Sequence, residues 1–205
     1  MKYQSRCDSA LLVSGIVRPE VTLRFGSPGD AACLAALGVQ TWLHTYASRG
    51  IRPAISRYVQ EHLSAAAFGI QLERSDAFTL LAVAHGHLVG YATAAFGKPC
   101  LVRSPACTHL ERLFVHEHFH GMGIGHALLA EVRSDVRRRV GSSALWLTVN
   151  SQNQLARAFY ARQAFMDIGV TNFDLYGEQH ENRILHVLDA SPLPDDPHPA
   201  RSDYR

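Results

Sequence analysis

The densest chemistry in the chain lies in Leu113-Phe114-Val115-His116-Glu117-His118-Phe119-His120-Gly121-Met122-Gly123-Ile124-Gly125-His126. Glycines at 121, 123 and 125 remove side chains just where strand-like alternation gives way to helical spacing. Backbone amides in such a turn can converge on an anion, and the dipole of the following helix adds to the attraction. A pyrophosphate suits that geometry; a tight turn that holds nothing is the other reading. The even glycine spacing is not the G-x-G-x-x-G of a dinucleotide fold, and the G-K-[ST] of a phosphate loop is absent. The same residues also satisfy H-E-x-x-H-x-x-G-x-x-H, in which His116, His120 and His126 would hold zinc and Glu117 would act as base.

A second cluster follows, Asn150-Ser151-Gln152-Asn153-Gln154-Leu155-Ala156-Arg157-Ala158-Phe159-Tyr160. The two segments together resemble the GNAT N-acetyltransferases. That superfamily has a strand ending in L-x-V, a loop [QR]-x-x-G-x-[GA] and a later N-x-x-A-x-x-F-Y. Leu113, Val115, Gly123 and Gly125 match, Gly121 and Ile124 are common family choices, and His120 stands where Gln or Arg is usual. Asn153, Ala156, Phe159 and Tyr160 match the later motif. Ala164-Phe165 replaces the usual Gly-Phe. Because an alanine in a left-handed cap costs about 1 kcal/mol, that helix end is expected to differ.

The resemblance implies an enzyme that moves an acetyl group from acetyl-CoA, as co-substrate and with no metal required, to a primary amine by direct attack in a ternary complex. The amine could belong to a small molecule, a polyamine-like compound, a protein N-terminus or a lysine. It implies a CoA site made by Leu113, Phe114, Val115, His120, Gly121, Met122, Gly123, Ile124, Gly125, His126, Asn153, Ala156, Phe159 and Tyr160. Tyr160 would return a proton to the departing thiolate, and amides near Phe114 and Val115 would stabilise charge on the carbonyl oxygen. Asn153 would hydrogen-bond the pantetheine arm, or serve only as a helix cap. Glu111, on the strand leading into the loop, is the candidate base, with a plain ion-paired strand residue as the alternative; His109, two residues earlier on the same strand face, could assist through water. Thr41-Trp42-Leu43-His44-Thr45-Tyr46, with Pro53, Tyr58 and Leu110–Val115, resembles the bacterial spermidine/spermine acetyltransferase-like branch. That likeness implies Trp42 and Tyr46 at the acceptor; simple core packing of an amphipathic helix is the alternative.

Two rivals use the same residues. The zinc pattern resembles the metzincin proteases, but it needs a helix through 116–120 where the chain reads as the end of a strand. No Met-turn follows, since Met166 sits in Phe165-Met166-Asp167, and the pattern from Asn153 to Tyr160 is left unexplained. The second rival is a non-catalytic acyl-CoA-binding module with Arg137-Arg138-Arg139 as a contact patch. Those arginines are equally the cations favoured at a helix C-terminus.

Positioning these groups requires a frame. Val21–Phe25 alternates as a strand, and Ser27-Pro28-Gly29-Asp30 turns into a helix that Asp30 would cap, running to about Tyr46. Pro53 opens a second helix through Leu63. Strands at Phe78–Ala84 and His87–Phe96 flank His85-Gly86, and His109–Val115 forms the next. A helix from about His126, a strand at Ala144–Val149, a helix at Gln154–Ala164 and strands near Asp167–Leu175 and Asn182–Leu188 complete the order. The expectation is an α/β, GNAT-like single domain with a mixed, mostly antiparallel sheet of about six to seven strands flanked by about four helices.

Composition agrees with one core: 205 residues, 47% hydrophobic and 19% charged. A net charge of +2 calls for neither a nucleic-acid nor a membrane partner, and no apolar run spans a bilayer. Cys7, Cys33, Cys100 and Cys107 read as reduced thiols. Lys2 and Arg6 precede Ala10-Leu11-Leu12-Val13, but Ser14 and Gly15 interrupt that short apolar part, so a cytoplasmic protein is expected rather than a secreted one. Residues 1–20 read as an N-terminal extension, 21–190 as the acetyltransferase domain, and the Pro-rich 191–205 as a disordered tail. The expected partners are acetyl-CoA and an amine acceptor, with a homodimer left open.

Overall fold

A computed structural model describes residues 20–189; the expected tail and all but the last residue of the N-terminal extension lie outside them. The elements run β1 (Val21–Phe25), α1 (Ala31–Tyr46), α2 (Pro53–His62), α3 (Ala65–Leu72), β2 (Ala77–Ala84), β3 (His87–Ala95), β4 (His109–Val115), α4 (Ile124–Val140), β5 (Leu145–Asn150), α5 (Gln154–Arg162), β6 (Met166–Leu175) and β7 (Glu178–Val187). The strands form one seven-stranded sheet in the order β1-β2-β3-β4-β5-β7-β6. Every pairing is antiparallel except β4 with β5.

Both faces of the central strands are covered, which is why β2 and β3 are almost unbroken apolar runs. Leu80 and Ala82 of β2 pack with Leu128, Leu129, Val132 and Val136 of α4 on one face. Leu81 of β2 and Tyr91 of β3 face the other way, onto Leu34 and Leu37 of α1 and Phe68 of α3. Period-two strands sandwiched between period-3.6 helices thus give two cores, one on each side of the sheet. Among the described residues no helix is long and apolar enough to cross a membrane.

Several sequence expectations need correction. Among the described residues there are five α-helices where about four were expected: α3 begins just past Leu63, with the Ser64 hydroxyl accepting from the Ala67 amide at 3.2 Å. Asp30 does not cap α1. Its carboxylate accepts from the Ser27 amide at 2.8 Å and is clamped by Arg24 at 2.6 and 2.9 Å, which holds its pKa well below the usual carboxylate range. β7 starts at Glu178, because Tyr176 and Gly177 at φ +52° and +93° make a tight hairpin link to β6. The end of α5 also turns out differently from expectation. Ala164 does adopt the left-handed conformation, at φ +62°. The Phe165 amide donates to Tyr160 at 3.0 Å and the Ala164 amide to Ala161 at 3.1 Å, with the Phe165 ring on Tyr160. These bonds complete a glycine-type cap around an alanine.

Candidate active site

β4 and β5 run parallel yet share the single register pair His109↔Trp146, at the start of both strands. Beyond it they part. Two cavities open along the gap: one of about 460 Å³ beside the glycine turn and one of about 950 Å³ beneath α1, α2, β6 and β7. They meet at Thr45, Tyr46, Leu113, Phe114, Asn153, Leu155, Ala156 and Tyr160, which line both.

The edge of β4 facing the gap has unspent backbone groups. The His116 amide donates to Val89 on β3 at 2.9 Å, and such bonds fall on alternate residues of an antiparallel ladder. Phe114 therefore turns its amide to β3, while Leu113 and Val115 turn theirs into the gap. This corrects the expectation for Phe114; the available amide pair is Leu113 and Val115.

The smaller cavity is backbone-built. Gly121 and Gly123 have φ of +78° and +86°, and a Cβ at either would meet nothing within 4 Å. Their bare backbone lies open to the cavity, and Gly123 is the N-cap of α4. Among the described residues, the amides of Gly123, Ile124, Gly125 and His126 have no acceptor; Ala127, donating to Gly123 at 3.0 Å, is the first that does. Helix α4 thus starts at Ile124, ahead of the expected His126. Gly125 sits beside Phe159, where a Cβ would lie 3.4 Å from the ring, in ordinary contact. Met122 is an exception among the expected site residues: it does not line the cavity and packs against the core between sheet and α4.

The histidines brace this turn. His120 donates from Nε2 to the Val115 carbonyl at 2.8 Å, and His126 donates from Nδ1 to Gln163 at 2.8 Å, tying α4 to the end of α5. The His116 Nδ1 accepts from the His118 amide at 3.2 Å while its Nε2 lies 2.8 Å from the Gln40 carboxamide. The helix that a zinc-protease pattern needs through 116–120 is replaced by a strand end, a 3-10 turn at Glu117–Phe119 and an extended His120. His116, His120 and His126 therefore each serve a different local bond.

At the junction of the cavities, the Tyr160 ring packs against Phe159 and Phe165 at 5.2 and 5.3 Å. Burial raises its phenol pKa far above the ordinary value, so it is a proton donor rather than an acceptor near neutrality. Burial also raises Tyr46, opposed by the Asn153 side chain beside it. Asn153 is the α5 cap: its Oδ1 accepts from the Ala156 amide at 3.0 Å. The cap spends the oxygen and leaves the Nδ2 group for the junction.

Glu111 is placed by a β-bulge. Thr93 pairs with Arg112 and Ala94 with Leu110, so Glu111 is the extra residue that β3 does not match. It lines the larger cavity, with both carboxylate oxygens held by Arg74 at 3.0 and 2.9 Å. The bulge breaks strand alternation, so two-residue spacing alone does not relate Glu111 to His109, although Glu111 stays close enough for its charge to oppose the effect of burial on the His109 imidazole. His109 lines neither cavity; it stacks on Trp146 at 4.0 Å, and burial lowers its pKa.

The larger cavity is built from side chains. Trp42 stacks on Tyr58 at 4.6 Å and 17°, Tyr46 lies 5.0 Å from Trp42, and Phe173 meets Tyr58 edge-on at 5.9 Å. Trp42 and Tyr46 both line this cavity, and Trp42, 6% exposed, is at the same time part of the core. Arg49, Arg52, Arg112, His180 and Asn182 add to the polar lining and had no sequence signal, because the link between α1 and α2, β4 and β7 bring them together from distant positions.

Comparison with known proteins agrees with this geometry. The model of the acetyltransferase (GNAT) family matches residues 40–165. Uncharacterized N-acetyltransferases of Mycobacterium bovis and Mycobacterium tuberculosis are each 32% identical over 158 residues, covering 77% of this chain and 96% of each relative. Among solved structures, the PaiA N-acetyltransferase of Thermoplasma acidophilum in complex with coenzyme A shares the fold at a TM-score of 0.64 and 22% identity, covering 82% of this chain and 98% of that one.

Proposed function

The chain belongs to the acetyltransferase (GNAT) family, and from that premise we propose that it transfers the acetyl group of acetyl-CoA to a primary amine while both are bound. The observation that carries this reading is the meeting of two cavities at Tyr160, Tyr46 and Asn153, in a gap where a strand edge is left unpaired. The Thermoplasma protein was solved with coenzyme A, and the donors here suit the same molecule. The free amides at 123–126 and the open left-handed glycines are a cradle for a pyrophosphate. The amides of Leu113 and Val115 and the Asn153 Nδ2 group offer partners for an amide-bearing arm.

Acetyl-CoA supplies a thioester; in the net reaction the amine nitrogen gains the acetyl carbon and loses a proton, the carbon–sulfur bond breaks, and sulfur leaves as a thiol. Tyr160 holds a proton at its Oη beside the junction and gives it to the departing sulfur. The Leu113 and Val115 amides point at the place where charge collects on the carbonyl oxygen. Glu111, directed into the acceptor cavity by the bulge, draws the amine proton through water and holds its charge against Arg74.

The test is direct. Acetyl-CoA should give a calorimetric and thermal-shift signal, and an amine panel should give CoA release with an N-acetylated product by mass spectrometry, undiminished by chelator. Binding without turnover on any amine would leave a non-catalytic acyl-CoA module as the answer. The absence of binding at millimolar acetyl-CoA would remove the proposal altogether.

A further inference from the structure

The charge lining the acceptor cavity says what kind of amine enters it. Arg49, Arg52 and Arg112 line this space, and Glu111 is the one carboxylate among its described lining residues. Glu111 is already neutralised, with both oxygens on Arg74. Arg52 is matched by Glu178, whose Oε1 lies 3.0 Å from the Arg52 Nε. Arg49 and Arg112 have no carboxylate partner among the described residues.

Arg112 is the more telling of the two. Its guanidinium lies over the Phe68 ring, 5.1 Å from the centroid. Its one protein hydrogen bond, to the His62 carbonyl, is long at 3.4 Å. Arg112 lines the cavity, and no carboxylate among the described residues lies within ion-pair distance of its remaining donors. Its charge is felt there: burial raises the Tyr58 phenol and Arg112 opposes the rise. Further round the wall, the His180 Nε2 is buried without a hydrogen bond, with the Glu178 carboxylate 3.6 Å away. Trp42, Tyr58 and Phe173 supply aromatic surface to the same space.

Resting on the acetyltransferase reading above, we propose that the acceptor is a small amine carrying its own carboxylate, in the manner of a free amino acid. Arg112 takes the carboxylate, assisted by Arg49, and the aromatic wall takes an apolar side chain. A polyamine carries several cations and would enter a space whose single carboxylate is already ion-paired with Arg74 and whose charged groups without a carboxylate partner are arginines.

The experiment uses acceptors that differ only in that carboxylate: L-phenylalanine, L-phenylalaninamide and phenethylamine, then L-lysine against cadaverine, with spermidine alongside, all at saturating acetyl-CoA. The carboxylate-bearing member of each set should be preferred in kcat/KM by roughly 10- to 100-fold, the range of a charge-assisted hydrogen bond. Arg112→Gln should erase that preference through KM, with the acetyl-CoA dissociation constant unchanged, and Arg49→Gln should reduce it. Should Arg112→Gln fail to fold because it leaves Phe68, the wild-type preference and Arg49→Gln decide the matter. Equal or better turnover of the amide, the diamine or spermidine overturns the inference and leaves the acetyltransferase reading standing. So does acetyl-CoA binding with no turnover across the common amino acids. Failure to bind acetyl-CoA instead removes the reading on which the inference rests.

Discussion

The two halves of the candidate site are made of different material. Beside the glycine turn, recognition is done by main chain: bare glycines, the open start of α4 and the edge of β4. Histidines there bond to the protein and hold that main chain in place. Beneath α1 and α2 the reverse holds, and the lining is aromatic rings and guanidinium groups. A backbone-built half needs a few residues at fixed spacing on one segment, and it presents the same donors whatever the neighbouring side chains are. A half built from side chains can change its partner by single substitutions. The common donor substrate fits the first kind of construction, and a variable acceptor fits the second.

The sharpest test falls where the halves join. Tyr160→Phe removes only a hydroxyl and should lower kcat by about 10²- to 10⁴-fold, with acetyl-CoA affinity preserved. In the wild type, single-turnover rates should show no alkaline loss from Tyr160 below about pH 10, because its raised pKa keeps the phenol protonated past the ordinary phenol value. Wild-type kcat in the variant under chemistry-limited conditions would remove Tyr160 from the mechanism.

Next in size is the backbone half. Gly123→Val forces a β-branched residue to φ +86° and should weaken acetyl-CoA binding roughly 10- to 100-fold by calorimetry. Acceptor KM should stay within error; a change in it would break the division between the halves. Ala164→Gly relieves the left-handed alanine and should raise unfolding stability by about 1 kcal/mol in urea titrations, with unchanged kinetics. A loss of stability would mean that the methyl group earns more in packing than the backbone costs.

The smallest effect is one of pH. Burial lowers the His109 pKa, so its contribution to stability is present above the ordinary imidazole value of about 6.5 and is lost as pH falls through the folded-state value. His109→Phe keeps an aromatic stack, and its melting temperature should fall less than that of the wild type between about pH 7.5 and about pH 5. Parallel curves for the two proteins would locate the acid sensitivity elsewhere.

How much of this could be read from the chain divides along the same line. The cradle was legible because left-handed turns and helix starts demand glycine, and Gly121, Gly123 and Gly125 declare that demand locally. Asn153 to Tyr160 was legible for a like reason, one cap and one helix face within a short segment. The bulge at Glu111 was not, because an unmatched residue depends on its partner strand. Helix α3 was passed over although Ser64 marks its start, its apolar run having merged with the helix before it. Arg112 and Arg49 gave no signal at all: only the folded sheet brings the end of α1, the bulged strand and the rings of α2 around one space.

The single pair joining β4 to β5 has a mechanical consequence. The sheet is a four-stranded plate and a three-stranded plate, joined along the line where ladder bonds are fewest. Near that line the His109–Trp146 stack and the bond from Trp146 Nε1 to the Lys98 carbonyl, at 2.7 Å, act as a rivet. Past the rivet the plates are held by packing: one continuous core takes in Leu80 and Ala82 of the first, Leu145, Leu147 and Leu185 of the second, and Leu128, Leu129 and Val132 of α4. The helix is therefore a keystone, and the width of the space where the two cavities meet is set by side-chain volume rather than by the ladder.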